Sequence, residues 1–129
     1  MNADERRQET DKLTERIIGC AFTVGKVLGC GFLEKVYENA LVHELRRNGL
    51  AVKQQHAINV YYDDVVVGEY TADILVEDEV LVELKAVQAL DEIHTAQCLN
   101  YLNATGRKVC LLINFGKPKV EIKRLVRDF

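Results

Sequence analysis

The chain has 129 residues, of which 48% are hydrophobic and 29% charged, and its net charge is −3. A chain of this length buries roughly 68% of its unfolded surface and corresponds to one domain, residues 1–129, too small to carry a separate substrate domain. The acidic balance excludes a general attraction to nucleic acid, and no apolar run reaches membrane-spanning length; because Asp4, Glu5, Arg6, Arg7 and Glu9 crowd the N-terminus, no secretory signal is read there and a cytoplasmic protein is expected.

Leu13, Ile17, Ala21, Val24 and Leu28 keep the three-to-four spacing of a helix with one buried stripe, and Gly29-Cys30-Gly31 interrupts it. A second helix follows, with Leu33, Val36, Tyr37, Ala40, Leu41 and Leu45 as its apolar face and Asn48-Gly49 as its stop. Glu34 stands in its first turn, where the helix dipole favours a carboxylate, three residues before Tyr37 on the same side. Ile58, Val60 and Tyr62 then alternate as a strand before Asp63-Asp64, a two-residue hairpin turn, after which Val65 to Val76 is rich in β-branched residues. Gln54 or Gln55, on the entering strand, could reach the acidic face described below, but register is not set by sequence at that point.

Val80 to Ala86 continues the meander, and here the chemistry concentrates. If Glu77-Asp78-Glu79 forms a three-residue loop, positions 76 and 80 pair and Asp73 falls opposite Glu83 on one face. Lys85 shares that face, since strand residues alternate. Two facing acids flanked by Ile74, Leu75, Leu81 and Val82 destabilise a sheet unless a divalent cation relieves them. Mg²⁺ (or Mn²⁺) suits so small an oxygen set, because it keeps waters and takes substrate phosphate oxygens, whereas Zn²⁺ prefers His or Cys. For Lys85 two roles remain open: neutralising the acids structurally, or steadying a nucleophile and a phosphate.

Asp91 caps a third helix that runs to about Thr105, with Gly106 supplying the left-handed C-terminal position. His94, Gln97 and Tyr101 share one stripe of it. Val109 to Ile113 and Val120 to Val126 are the last strands, separated by Asn114-Phe115-Gly116-Lys117-Pro118.

Cys20, Cys30, Cys98 and Cys110 have no CxxC spacing and lie among apolar neighbours, so they read as reduced core thiols; a zinc or iron–sulfur site is the alternative that their wide spacing disfavours. His43, His56 and His94 are dispersed and read as solvated or structural. From Tyr61 to Thr95 there are ten acids and one base, Lys85, whereas from Gly106 onward seven bases face Glu121 and Asp128. The basic end reads either as a solvated face or as a phosphate-contacting rim beside an acidic centre.

Gly31-Phe32-Leu33-Glu34-Lys35-Val36-Tyr37 matches a GxxExxY signature, and Tyr70-Thr71-Ala72-Asp73, Glu83-Leu84-Lys85-Ala86, Gln97 to Tyr101 and Asn114-Phe115-Gly116 follow in order. From about Leu13 to Val126 the chain closely resembles the GxxExxY family, usually placed in the PD-(D/E)XK nuclease superfamily. The resemblance implies an α/β (α+β) fold with a restriction-endonuclease-like core: a mixed sheet flanked by helices in α-β-β-β-α-β order, with an extra N-terminal helix. It implies Asp73 and Glu83 as metal ligands with Glu34 beside them, Lys85 at the scissile phosphate or attacking water, and Gln97 and Tyr101 as further site residues. Ala72 replaces the proline that names the superfamily, a departure that leaves the ligand set intact. The implied activity is metal-assisted hydrolysis of nucleic acid, with DNA the expected partner, a role in DNA repair or processing, and a second copy or an accessory protein helping to grip a long substrate. The alternatives are a nucleic-acid- or partner-binding module that kept the geometry without turnover, and a structural subunit whose acids merely bind cations.

Overall fold

A computed structural model describes residues 1–128 as α1 (Ala3–Leu28), α2 (Glu34–Arg47), β1 (Val52–Tyr62), β2 (Val65–Val76), β3 (Val80–Lys85), α3 (Glu92–Thr105), β4 (Val109–Asn114) and β5 (Glu121–Val126). The last residue of the expected 1–129 span lies outside the described residues. The helices and strands come in the expected order and form a mixed α/β fold. One sheet runs β1-β2-β3-β4-β5, antiparallel throughout except for the parallel β3–β4 pair, which α3 connects.

Local chemistry accounts for most boundaries. Asn2 caps α1 by accepting the Glu5 N–H at 2.8 Å, so the helix starts well before its first predicted stripe residue, with Asp4 and Glu5 complementing its dipole. Asp63 and Asp64 both adopt left-handed φ (50° and 63°), the twist that a two-residue hairpin demands. The Glu77-Asp78-Glu79 loop pairs Val76 with Val80, as its length predicts. Asp91 accepts the Ile93 N–H at 2.6 Å while the Asp91 N–H donates to His94 Nδ1, a reciprocal cap, and Gly106 closes α3 at φ 72°.

Helices α1 and α2 cover one sheet face, where Ile17, Val24, Leu41 and Leu45 pack on Ile74, Val76, Val82, Leu84 and Leu111. Helix α3 covers the other, with Cys98, Tyr101 and Leu102 against Leu75, Leu81, Cys110 and Leu112. Covered on both faces, β3 and β4 are almost continuously buried.

Two expectations are corrected. The apolar face of α2 is Tyr37, Ala40, Leu41, Val42 and Leu45; Leu33 is 81% exposed and Val36 is also exposed, because Leu33 is the cap residue and the helix rotates to bury Glu38 instead. Cys20, Cys98 and Cys110 are buried free thiols, but Cys30 sits exposed in the α1–α2 turn, whose glycine-flanked backbone places nothing over it.

Candidate active site

The β2–β3 ladder runs from Val76–Val80 to Ile74–Val82 and then stops. Continued by one step it would join Asp73 to Glu83, but there the carboxylates replace the ladder: the Leu84 N–H donates to Asp73 Oδ2 at 2.8 Å, and the Asp73 N–H donates to Glu83 Oε1 at 3.2 Å. The two acids therefore face each other across an opening in the sheet, as the loop length predicted.

The neighbouring β1–β2 ladder is interrupted at the same level. Gln54 pairs with Ile74 and His56 with Ala72, while Gln55, opposite Asp73, has a left-handed φ of 57°. Such a conformation is costly for a side chain with a Cβ and persists where surroundings over-determine it. It turns the hairpin over: Tyr70 and Ala72 face α3, whereas Ile74 and Val76, also even-numbered, face α1 and α2. Asp73 sits at the point where the faces exchange, within electrostatic reach of helices on both sides.

What holds Gln55 there is Glu38, a residue that sequence reasoning missed. Glu38 is only 2% exposed and accepts from Gln54 Nε2 at 2.6 Å, from Gln55 Nε2 at 3.0 Å and from Lys35 Nζ at 3.0 Å. Gln55 Nε2 also approaches Asp73 Oδ1 at 3.5 Å. Both candidate glutamines thus reach the acidic side, through Glu38. The available signal was the spacing of Glu34 and Glu38, four apart and hence on one face of α2.

Glu34 owes its place to the turn before it. Gly31 has φ 116°, Tyr37 Oη donates to the Gly29 carbonyl at 2.6 Å and accepts the Phe32 N–H at 3.2 Å, and the Tyr37 ring stacks on Phe115 at 4.8 Å. The spaced glycine, glutamate and tyrosine are therefore one device, a knotted turn that launches α2 with Glu34 in its first turn. Burial raises the Glu34 pKa, the Asp73 charge raises it further, and Lys85 opposes both. Lys85 is held from below: Asn114 accepts the Val87 N–H at 3.0 Å and donates to the Val87 carbonyl at 2.9 Å, and the Phe115 N–H donates to the Lys85 carbonyl at 2.8 Å. A Cβ on Gly116 would collide with the backbone of Val87, which is why the Asn-Phe-Gly run needs its glycine.

Lys85 Nζ lies 3.8 Å from Glu83 Oε2, a loose contact. Burial pushes the Glu83 carboxyl, 4% exposed, up to about 8, and the Asp73 charge adds to that. Burial likewise raises Asp73, against the lowering effect of the Leu84 N–H, and Glu38 raises it too. On α3, Gln97 Nε2 donates to Tyr101 Oη at 2.8 Å, and Tyr101 Oη donates to the Thr71 carbonyl at 3.3 Å. Burial and then the charge of Glu83 raise the Tyr101 hydroxyl, so Tyr101 is a neutral donor beside the acids. All six predicted site residues are thus drawn to one locus: Asp73, Glu83 and Lys85 at the opening, Glu34 from α2, Tyr101 from α3, and Gln97 through Tyr101.

The donor set fits a hard divalent cation. Its side-chain oxygens are carboxylates, and Asp73, Glu83 and Glu34 are raised first by burial and then by one another or by Glu38, with Lys85 opposing. Among the described residues no group of three or more His, Cys, Asp or Glu is placed to hold a metal ion; the facing pair Asp73 and Glu83 is what the opening offers. Three of the basic C-terminal residues are engaged in ion pairs outside the acidic pair: Arg107 with Asp78, Arg124 with Asp11, and Lys117 with Glu121.

A sequence model described as the PD-(D/E)XK nuclease superfamily matches residues 11–125. No curated protein matches the chain. Among solved structures, an alkaline exonuclease (LHK-Exo) from Laribacter hongkongensis superposes with a TM-score of 0.54 at 17% identity, over 88% of this chain and 70% of that one. At that identity the likeness is one of fold. No helix among the described residues is long and apolar enough to cross a membrane.

Proposed function

The chain belongs to the PD-(D/E)XK nuclease superfamily, and from that premise we propose that it is a nuclease of the GxxExxY branch that hydrolyses phosphodiester bonds, DNA first, with Mg²⁺ or Mn²⁺ and in repair or processing. The observation that carries the reading is the opening in the sheet at which Asp73 and Glu83 each take a backbone N–H of the other strand while Lys85 stands 3.8 Å from Glu83. Apart from the Asp73 N–H that Glu83 accepts, the two carboxylate charges repel one another, and a fold that keeps both beside a lysine is arranged for a ligand that neutralises them.

In this reading Asp73 and Glu83 hold the cation, with Glu34 ligating it or its water from the first turn of α2. When bound, the cation lowers the pKa of a water and stabilises charge on the phosphate. Lys85 then places its ammonium where charge develops on the phosphoryl oxygens. Glu38 and Gln55 fix Asp73, the Asn114–Val87 bridge fixes the exit of β3 and with it Lys85, and Tyr101, donating to the Thr71 carbonyl and accepting from Gln97, ties α3 to the strand that carries Asp73. A second copy or an accessory protein would extend the grip on a long substrate.

The test is cleavage of single-stranded and duplex DNA and RNA by the purified protein with Mg²⁺, Mn²⁺ or EDTA. Metal-dependent products that vanish in Glu83→Ala support the reading. Metal and nucleic-acid binding without cleavage of any of the four substrates would replace it with a non-catalytic binding module.

A further inference from the structure

β2 pairs with β3 only over Ile74–Val76, so the rest of the β1–β2 hairpin projects beyond the sheet and overhangs α3. Opposite the overhang α3 presents Ala96 and Ala104, too short to fill the space, and an open cleft of ≈ 600 Å³ results. A second cleft of ≈ 450 Å³ adjoins it, sharing Val60, Tyr70, Asn100 and Ala104, so that the lined groove extends from Lys85 at the acidic opening to Tyr61 and Asn103.

The lining has a distinct chemistry. Tyr70 is 54% exposed and its ring leans on Tyr101 at 6.2 Å, so a flat aromatic face is held open to solvent, with the aliphatic Ile93, 75% exposed, beside the same cleft. The Asn100 amide, a donor and an acceptor, has no hydrogen-bond partner among the described residues. No aspartate or glutamate lines either cleft, although the surrounding chain is rich in both, and Lys85 is the lining cation at the reacting end.

We propose that this groove is a stacking slot for the bases of an unpaired nucleic-acid strand, so that the protein selects single-stranded segments or ends over continuous duplex. The inference rests on the reading that Lys85 meets the scissile phosphate: a strand with its phosphate there has the groove for its neighbouring bases. Stacking on Tyr70 tolerates any base, Ile93 adds apolar contact, and Asn100 offers its amide to a base edge. The volume lies within the range of about 300–1,000 Å³ typical of small-ligand pockets, the scale of a nucleotide.

The test measures fluorescence anisotropy of a fluorescein-labelled oligodeoxythymidylate and of a blunt duplex of equal length, with Ca²⁺ and again with EDTA. Wild type should bind the single strand about tenfold more tightly than the duplex, and Tyr70→Ala should lose about tenfold on the single strand, the effect of one stacked base. Ala96→Glu, at an exposed helix position that leaves the melting temperature unchanged, should lose single-strand binding through the charge it places in the slot. Neither variant should change duplex binding. Equal or tighter duplex binding by wild type, binding of neither probe, or unchanged single-strand binding by both variants would overturn the slot. The slot and the nuclease reading fail separately: selective binding without cleavage in Mg²⁺ or Mn²⁺ keeps the slot and removes the nuclease, and duplex cleavage indifferent to both variants does the reverse.

Discussion

Replacing Asp73 by asparagine removes a charge while keeping a shape. The side-chain oxygen that accepts the Leu84 N–H at 2.8 Å is retained; the negative charge that faces Glu83 is not. In the metal-free protein the Glu83 carboxyl is raised from 4.5 to about 8, first by burial and then by Asp73. A carboxyl raised on folding binds its proton more tightly in the native state, so its contribution to stability is full below the unfolded value and is lost as pH rises through the folded one. Between about pH 5 and about pH 8 that loss is at most roughly 3.5 kcal/mol, at about 1.4 kcal/mol per unit. Asp73→Asn removes the second cause and leaves burial, so the loss should shrink by about 1 kcal/mol or more. Urea denaturation in EDTA at the two pH values, for both proteins, reads this directly, and calorimetric Mg²⁺ titration reads the ligand. Wild type should lose stability toward the higher pH and regain it with Mg²⁺; the variant should lose less and regain little. Equal pH slopes, or equal Mg²⁺ affinity, would refute the reasoning that these acids repel one another and share a cation.

Lys85→Ala should leave Mg²⁺ affinity largely intact, because an ammonium is not a ligand, yet lower cleavage by about 10²-fold or more; calorimetry beside a gel assay separates the two. Glu38→Ala should cost about 1–3 kcal/mol by urea denaturation, since Gln55 loses its closer acceptor and Gln54 keeps only Asn39, and should weaken Mg²⁺ binding by releasing Gln55 from Asp73. Gly116→Ala drives a methyl into the Val87 backbone and should cost about 1–3 kcal/mol while reducing cleavage, because the displaced segment carries Lys85; an unchanged melting temperature would contradict the close approach.

The sequence by itself determined whatever depends on neighbours along the chain. Given a three-residue Glu77–Glu79 loop, which the sequence offered as a condition and the Val76–Val80 pairing met, the period of two put Asp73 opposite Glu83. Capping chemistry placed the ends of α3 at Asp91 and Gly106, and alternation put Glu83 and Lys85 together. Tertiary structure decided what depends on contacts between distant segments. The apolar count on α2 pointed to Leu33 and Val36, but the stacking of Tyr37 on Phe115 and the seating of Leu41 and Leu45 on the sheet turn the helix so that Glu38 is buried and those two residues face solvent. Gln55 carries no local mark of a left-handed conformation; its backbone is held there through bonds from its side chain to Glu38, seventeen residues away in sequence. The groove beside Lys85 exists because α3 offers alanines where an overhanging hairpin passes, a coincidence of two surfaces that neither segment specifies alone. Local rules thus brought the acids and the lysine to one face, and long-range packing opened the sheet around them and shaped the space that a substrate would enter.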